Sequence, residues 1–271
     1  MNIDFLIKKY NKLFGKKKLY LVKVPLRISP VGAHIDHQLG IVSGMIVDNY
    51  MYFLFGESKN KRVRVYSENY NSSIEFFIDD KLEKENNWSD YIKGAVSVLK
   101  ENFRIEKGID GIICSDVSTG GMSSSAATGI SYLFSLEKVN GIEVDKKTNI
   151  YLMQKIENDF IGLNNGILDQ SVILLNSSNR SSLFFIDCKT LEYKNICPEK
   201  KINFGILVVH SGINRVLLNT NYNERVKECL IVAKKILELA GEQVKEDVKL
   251  RDVPREYFEK FKDKLPENLR K

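Results

Sequence analysis

Cysteine is scarce in this sequence. The four present (Cys114, Cys188, Cys197 and Cys229) form no C-x-x-C pair and have no histidine pair beside them. That spacing argues against a zinc site or a disulfide framework and fits a reducing, cytoplasmic setting. No apolar run approaches the roughly 20 residues that span a bilayer. The first residues, Met1-Asn-Ile-Asp-Phe, carry an early acid and no apolar core of a signal peptide. Internal repeats and low-complexity tracts are absent. Lysine clusters at 16–18 and 59–64 account for much of the formal charge of +6, but no aromatic residues interleave with them. Such runs are solvated faces more often than nucleic-acid sites. The expectation is a soluble protein with neither a membrane nor a nucleic-acid partner.

What is present is ordinary globular material. The chain has 271 residues, 43% hydrophobic and 28% charged, enough for one large or two modest domains. Helical spacing at residues 3–14 gives way to a β-rich run, Leu19 to Ile28, interrupted by Pro25. Strands are expected over Ile41–Glu57, Arg62–Asn69, Ile74–Ile78 and Gly108–Ser115, with a helix from Trp88 to Leu99. Helices follow at Ala126–Leu136, Asn149–Phe160, onward from Asn165 through Leu175, and at Asn221–Ala240. The last helix carries Tyr222, Val226, Leu230, Ala233 and Leu237 on one stripe. Strands are also expected at Ser182–Ile186 and Phe204–Val209, and the tail from Leu250 to Lys271 reads as helical. The order suggests an α+β sandwich rather than a βαβ repeat. The polar stretch 187–203 is the candidate domain boundary, placed at residues 195/196.

Two loops carry chemistry. Asp116 to Ala127 holds Gly120, Gly121, Met122, Ser123, Ser124, Ser125 and Ala126, a glycine turn running into a small-residue helix. Free amides and the positive end of the helix dipole at such a turn suit a phosphate, while serine hydroxyls serve phosphate or metal. A serine-rich helix cap is the plainer alternative. No Gly-Lys-Ser/Thr ends the turn, so it is not a Walker loop. The second loop, Arg27 to Gly40, gathers a cation, an acid and two of the chain's three histidines within a short span. Turn polars would explain it structurally, yet loops off strand ends are where function concentrates.

Several separated stretches together resemble the galactokinase branch of the GHMP small-molecule kinases. Arg27-x-x-x-x-Gly32-x-His34-x-Asp36 is similar to the branch's sugar signature, and Gly120 to Ala127 to its phosphate loop. Asn165-Gly166-Ile167-Leu168-Asp169-Gln170 resembles the segment with the catalytic aspartate, and Glu157 lies where a magnesium-binding acid is kept. Trp88-x-x-Tyr91-x-x-Gly94 resembles a stretch near the nucleotide base, and Tyr222-Asn223-Glu224-Arg225 a later sugar-contacting one. The resemblance runs from about Val22 to the last residue. It implies a two-domain fold, with a ribosomal-protein-S5-like first domain over 1–195 and a partial ferredoxin-like second one over 196–271. It also implies ATP and Mg²⁺ as cofactors, with Ser125 and Glu157 on the metal. Asp169 would take or orient the attacking hydroxyl's proton, and Arg27 would offset charge on the transferring phosphoryl.

One departure bears on the substrate. The branch places an acid before the histidine, facing the sugar's C-6 hydroxyl; here the position is Ala33, and His37 replaces a tyrosine. A carboxylate there would repel a C-6 carboxylate, and Ala33 removes that repulsion. The stretch resembles the galacturonokinases, the uronic-acid group of the branch, and implies phosphorylation of D-galacturonate at its anomeric hydroxyl. A kinase for a neutral sugar and a non-catalytic sugar sensor are the alternatives. No glycine follows Gly241, where the family has a glycine-rich third motif. The expectation is therefore either a fragment or a gene product that lacks the remainder, and in both cases a poor catalyst, self-associating through an incomplete second domain.

Overall fold

The computed structural model describes residues 1–117, 121–176, 182–197, 199, 205–209 and 221–270. Its centre is one unusually long strand, β2 (Ile41–Ser58), which is buried through most of its length. Along one edge lies β1 (Tyr20–Ile28), antiparallel from Tyr20↔Phe55 to Ile28↔Met45. Antiparallel β5 (Gly108–Ser115) pairs with the far half of β2, and β6 (Leu183–Asp187) with its first residues. Beyond β5 come β3 (Arg62–Ser67), parallel to it, and antiparallel β4 (Ser72–Phe77); β7 (Tyr193–Ile196) closes the other edge. The sheet order is β4-β3-β5-β2-β6-β7, with β1 beside β2. A single parallel pair within an otherwise antiparallel sheet fits the α+β expectation.

One face of the sheet carries α2 (Asp90–Asn102), α3 (Ser124–Asn140), α4 (Lys146–Lys155) and α5 (Leu168–Leu175). Phe53, Ile130, Leu133 and Val172, all fully buried, belong to the core between sheet and helices. The other face holds α1 (Ile3–Phe14), which seats Leu6 and Tyr10 against Tyr50, Tyr52 and Leu54 of β2. The buried Asp110 carboxylate anchors that face through Lys17 at 2.5 Å and Arg64 at 2.7 Å. These two cations hold its pKa below the ordinary value against the opposing effect of burial.

The C-terminal part is smaller. Helix α6 (Tyr222–Ala240) packs Val232, Ile236 and Leu237 against Val248, Phe261 and Leu265. It leans on the first part through named contacts: Leu250 N–H donates to Gln38 Oε1 (3.0 Å), and Asn223 brackets the turn at Gly162 and Asn164. No described helix is long and apolar enough to cross a membrane.

Several expectations are corrected. Gly205–Val209 form no strand and stay largely exposed, because no described strand runs beside them to complete a ladder; Phe204 lies outside the described residues. The stretch 187–203 contains β7, an exposed edge strand whose polar residues carry no alternation signal. The tail is not one helix: α7 (Arg255–Phe261) sits among short 3₁₀ turns, with Pro254 and Pro266 at their starts. The helix expected over Asn149–Phe160 changes type at Ile156 and continues as a π-helical turn to Ile161. On α6 the buried stripe is Val232, Ala233, Ile236 and Leu237, while Val226 and Leu230 line a cleft.

Candidate functional site

Near its end strand β1 shifts register between Pro25 and Arg27 before pairing again at Arg27 and Ile28. Proline has no N–H for the ladder, and past it the Arg27 N–H turns away from β2 to the Met122 carbonyl (3.2 Å). That contact fixes the serine loop against the end of β1. It also sends the Arg27 side chain to Asp169, 142 positions on, with Nε at 2.7 Å and Nη2 at 2.5 Å from Oδ1. The other oxygen, Oδ2, accepts a hydrogen bond from the Ser123 hydroxyl.

Ser123 occupies the N-cap position of α3 in a left-handed conformation (φ 56°) and does not cap the helix with its side chain. Because its hydroxyl is spent on Asp169, the first amides of α3, at Ser124, Ser125 and Ala126, keep their donor capacity at the positive end of the helix dipole. Gly121 precedes them with φ 74° and open space around it. Gly120 lies outside the described residues. Tyr91, on the first turn of α2, hydrogen-bonds with Ser125, and burial raises its phenol pKa. Trp88 stands apart from this cluster, stacked on Tyr70 at 6.2 Å with its Nε1 donating to Ser72.

Glu157 enters from below on the π-helical turn. It is 2% exposed; Oε2 accepts from Asn165 Nδ2 at 3.0 Å, whereas Oε1 has no partner. Burial, aided by the nearby Asp169 and Asp36 carboxylates, pushes its pKa up to about 8. A shielded carboxylate oxygen with no donor, beside a serine hydroxyl reached through Tyr91, is a donor set that suits Mg²⁺, which takes few protein oxygens and shares the rest with phosphate and water. Among the described residues no cluster of three or more His, Cys, Asp or Glu side chains could hold a metal unaided.

The Arg27–Gly40 loop folds over this pair. A short 3₁₀ turn at Asp36–Gln38 buries all three side chains. Asp36 Oδ2 accepts the Leu168 amide (3.2 Å), and burial followed by repulsion from Asp169 raises its pKa. Gly166 is packed so closely on Asp36 that an added Cβ would lie 2.4 Å from its backbone and 2.5 Å from its carboxylate. Only glycine fits there. Ala33 and His34 are exposed, and His34 is left-handed with φ 70°. The Tyr222 ring meets both histidines edge-on, His34 at 6.2 Å and His37 at 5.5 Å. His37 is buried, contacts Gln38 Nε2 through Nδ1, and has its pKa lowered by desolvation.

The structure thus brings together Arg27, Asp169, Ser123, Ser125, Tyr91, Glu157 and Asp36, and separately Tyr222 with both histidines. Sequence reasoning missed three connections: the Ser123 hydroxyl on Asp169, Asn165 on Glu157, and the Leu168 amide on Asp36. The first and third join loops 46 and 132 positions apart, the second spans eight positions across the turn at Gly162, and no local pattern announces any of them.

A family model described as the GHMP kinases N terminal domain matches residues 90–177. The chain is 35% identical to a galacturonokinase of Arabidopsis thaliana over 94% of its own length and 65% of the relative's. It is 32% identical to a galactokinase of Lactobacillus helveticus, covering 96% of this chain and 67% of that one. A galactokinase of Pyrococcus furiosus is 32% identical, with 63% of its length covered, so the chain spans less than two thirds of some curated relatives. The crystal structure of Lactococcus lactis galactokinase complexed with galactose superposes with a TM-score of 0.85 at 29% identity, over 99% of this chain and 69% of the other. The mevalonate kinase of Methanococcus jannaschii, at TM-score 0.57 and 17% identity, shares the fold.

Proposed function

The chain belongs to the GHMP kinases, in their galactokinase branch, and from that premise we propose that it takes part in ATP-dependent phosphorylation of a hexuronate, D-galacturonate, at the anomeric hydroxyl. The observation that carries the reaction type is the Arg27–Asp169 pair, in which Nε and Nη2 both donate to Oδ1, held by Ser123 at the uncapped start of α3. Phosphoryl transfer asks mainly for positioning and charge stabilisation. Asp169 supplies a carboxylate held in one orientation from both sides, by Arg27 and by Ser123, where it can accept or orient the proton of a sugar hydroxyl. The α3 amides and the Ser124 and Ser125 hydroxyls are donors for the phosphates. Ser125 and Glu157 would hold Mg²⁺, which supplies charge neutralisation between phosphates. Asp36, His34 and Tyr222 would frame the sugar; of the two aromatic residues expected near the base, Tyr91 hydrogen-bonds with Ser125 at the phosphate loop and Trp88 stacks on Tyr70, apart from it.

The choice of a uronic acid rests on Ala33. The sugar loop has no carboxylate at its exposed tip to oppose a C-6 carboxylate, and the similarity to the plant galacturonokinase supports this substrate. A neutral sugar is the second reading, favoured by the likeness to the galactose complex. We propose the domain limits 1–195 and 196–271 for the two parts. Steady-state ADP release with galacturonate, galactose and glucuronate separates the readings. Preference for galacturonate is expected; equal or faster turnover of galactose would replace the substrate assignment, and sugar binding with no turnover would favour a sensor.

A further inference from the structure

A cleft of about 580 Å³ opens beside the Asp36–Gly166 contact. Its lining includes none of Arg27, Ser123, Asp169, Ala33, His34 or Tyr222. It lies instead between the π-helical turn, the 164–167 loop, the turn after β6 and the inner side of α6. Only one wall is shared with the proposed sugar site, and that wall is Asp36, His37 and the backbone at Gly166 and Ile167.

The chemistry of the lining is specific. Three lysines, Lys189, Lys227 and Lys249, face one carboxylate, Asp36. That carboxylate is turned to the Leu168 amide and its pKa is raised by burial. Lys189 is already paired with Asp252 at 2.6 Å, whereas Lys227 and Lys249 make no ion pair with a described residue. Lys249 acts electrostatically on the His37 ring. Two cations without counterions in a concave site attract an anion. Gln154, Asn158, Asn164 and Asn165 contribute amides, the groups suited to sugar hydroxyls. Gln154 is tied to the Asn165 carbonyl at 3.1 Å and Asn165 Nδ2 to Glu157 at 3.0 Å, whereas the side-chain amides of Asn158 and Asn164 make no hydrogen bond to a described residue.

We propose that this cleft is a second small-molecule site, an effector site for an anionic, hydroxyl-bearing ligand of sugar-phosphate or sugar-acid chemistry. Its occupant bears on the Asp36–Gly166 contact. Because that contact has no free volume, pressure on one side is passed to the Leu168–Asp169 segment rather than absorbed. Ligand binding in the cleft and sugar binding in front of Asp169 are therefore energetically linked, and the linkage is reciprocal.

The test is calorimetric titration of the full chain with three probes: a hexose 1-phosphate, galacturonate and inorganic phosphate. The parent is compared with Lys227→Gln/Lys249→Gln and with Tyr222→Ala, which alters the proposed sugar site and not the lining of the cleft. Binding of at least one probe should weaken by about tenfold for each lysine removed and persist in Tyr222→Ala. Phosphate alone binding as well as the hexose phosphate would reduce the ligand class to a bare anion and overturn the hydroxyl assignment. Absence of binding, or binding unaffected by the double substitution, overturns the site. A second arm measures sugar affinity with the cleft saturated: a shift seen in the parent and lost in the double variant is expected, and no shift overturns the effector role. That arm rests on the sugar-kinase reading, whereas the direct titration does not, so the two failures are distinguishable.

Discussion

Replacing Glu137 with glutamine should stabilise the protein at alkaline pH and leave it unchanged at acid pH. Glu137 lies on α3 with 7% exposure, facing Asn149 on α4, which is 1% exposed. Asn149 Nδ2 donates to Glu137 Oε2 at 3.4 Å, while Glu137 Oε1 and Asn149 Oδ1 both lack partners. A proton on Glu137 would join the two orphaned oxygens and close an acid–amide pair; an ionised Glu137 leaves both unpaired. Burial accordingly raises the pKa from 4.5 to about 7. The sign follows from which state binds the proton. The folded protein holds it to a higher pH than the unfolded chain, so the contribution is intact below 4.5 and is lost as pH rises to about 7. That interval corresponds to about 3 kcal/mol as an upper figure. In Glu137→Gln the same pair would form through an amide that does not ionise. Unfolding free energies from urea titrations at pH 4 and pH 8.5 measure the difference: the variant should match the parent at the first and exceed it by about 1–3 kcal/mol at the second. Parallel pH profiles for the two proteins would refute the shared-proton pair.

Ala33→Glu should lower kcat/KM for galacturonate at least about tenfold, equivalent to about 1.4 kcal/mol; unchanged turnover in the ADP assay would remove the C-6 argument. Asp169→Asn should retain nucleotide and sugar binding by calorimetry while turnover falls by a factor of about 10² to 10⁴, and near-normal turnover would point to another base. Gly166→Ala places a Cβ against Asp36 and should cost about 1–3 kcal/mol by denaturant titration, with weaker sugar binding. An alanine tolerated at no cost would show that the two loops can part.

The sheet was legible because its strands are apolar or alternating runs of Val, Ile, Phe and Tyr, as in Val63–Tyr66 and Ile109–Ile113. Strand β7 was not, since Tyr193–Ile196 is exposed throughout and, among the described residues, pairs only with β6. The broken tail was readable in principle: Pro254 and Pro266 each exclude an uninterrupted helix. Arg27, Asp169 and the serine loop were found through motifs rather than periodicity, and the fold brings them into hydrogen-bonding range. What the sequence could not give is the wiring between loops. That Ser123 serves Asp169 instead of its own helix depends on a left-handed backbone angle, and no residue type encodes that angle by itself.

The turn at Ile156–Ile161 makes the aim of Glu157 a question of chain length. The Gly162 N–H reaches back five residues to the Glu157 carbonyl, one more than an α-helix allows. Each residue of an α-helix turns the chain by about 100°. Loss of one codon among 158–160 would leave Glu157, Asn165 and Asp169 in the gene product unaltered as residue types, while removing the extra residue of the turn and with it the spacing that sets Asn165 against Glu157. The carboxylate and the amide that steadies it would then face different directions. Along this stretch a reading-frame-preserving deletion is more damaging than most substitutions, because the information held there is a count.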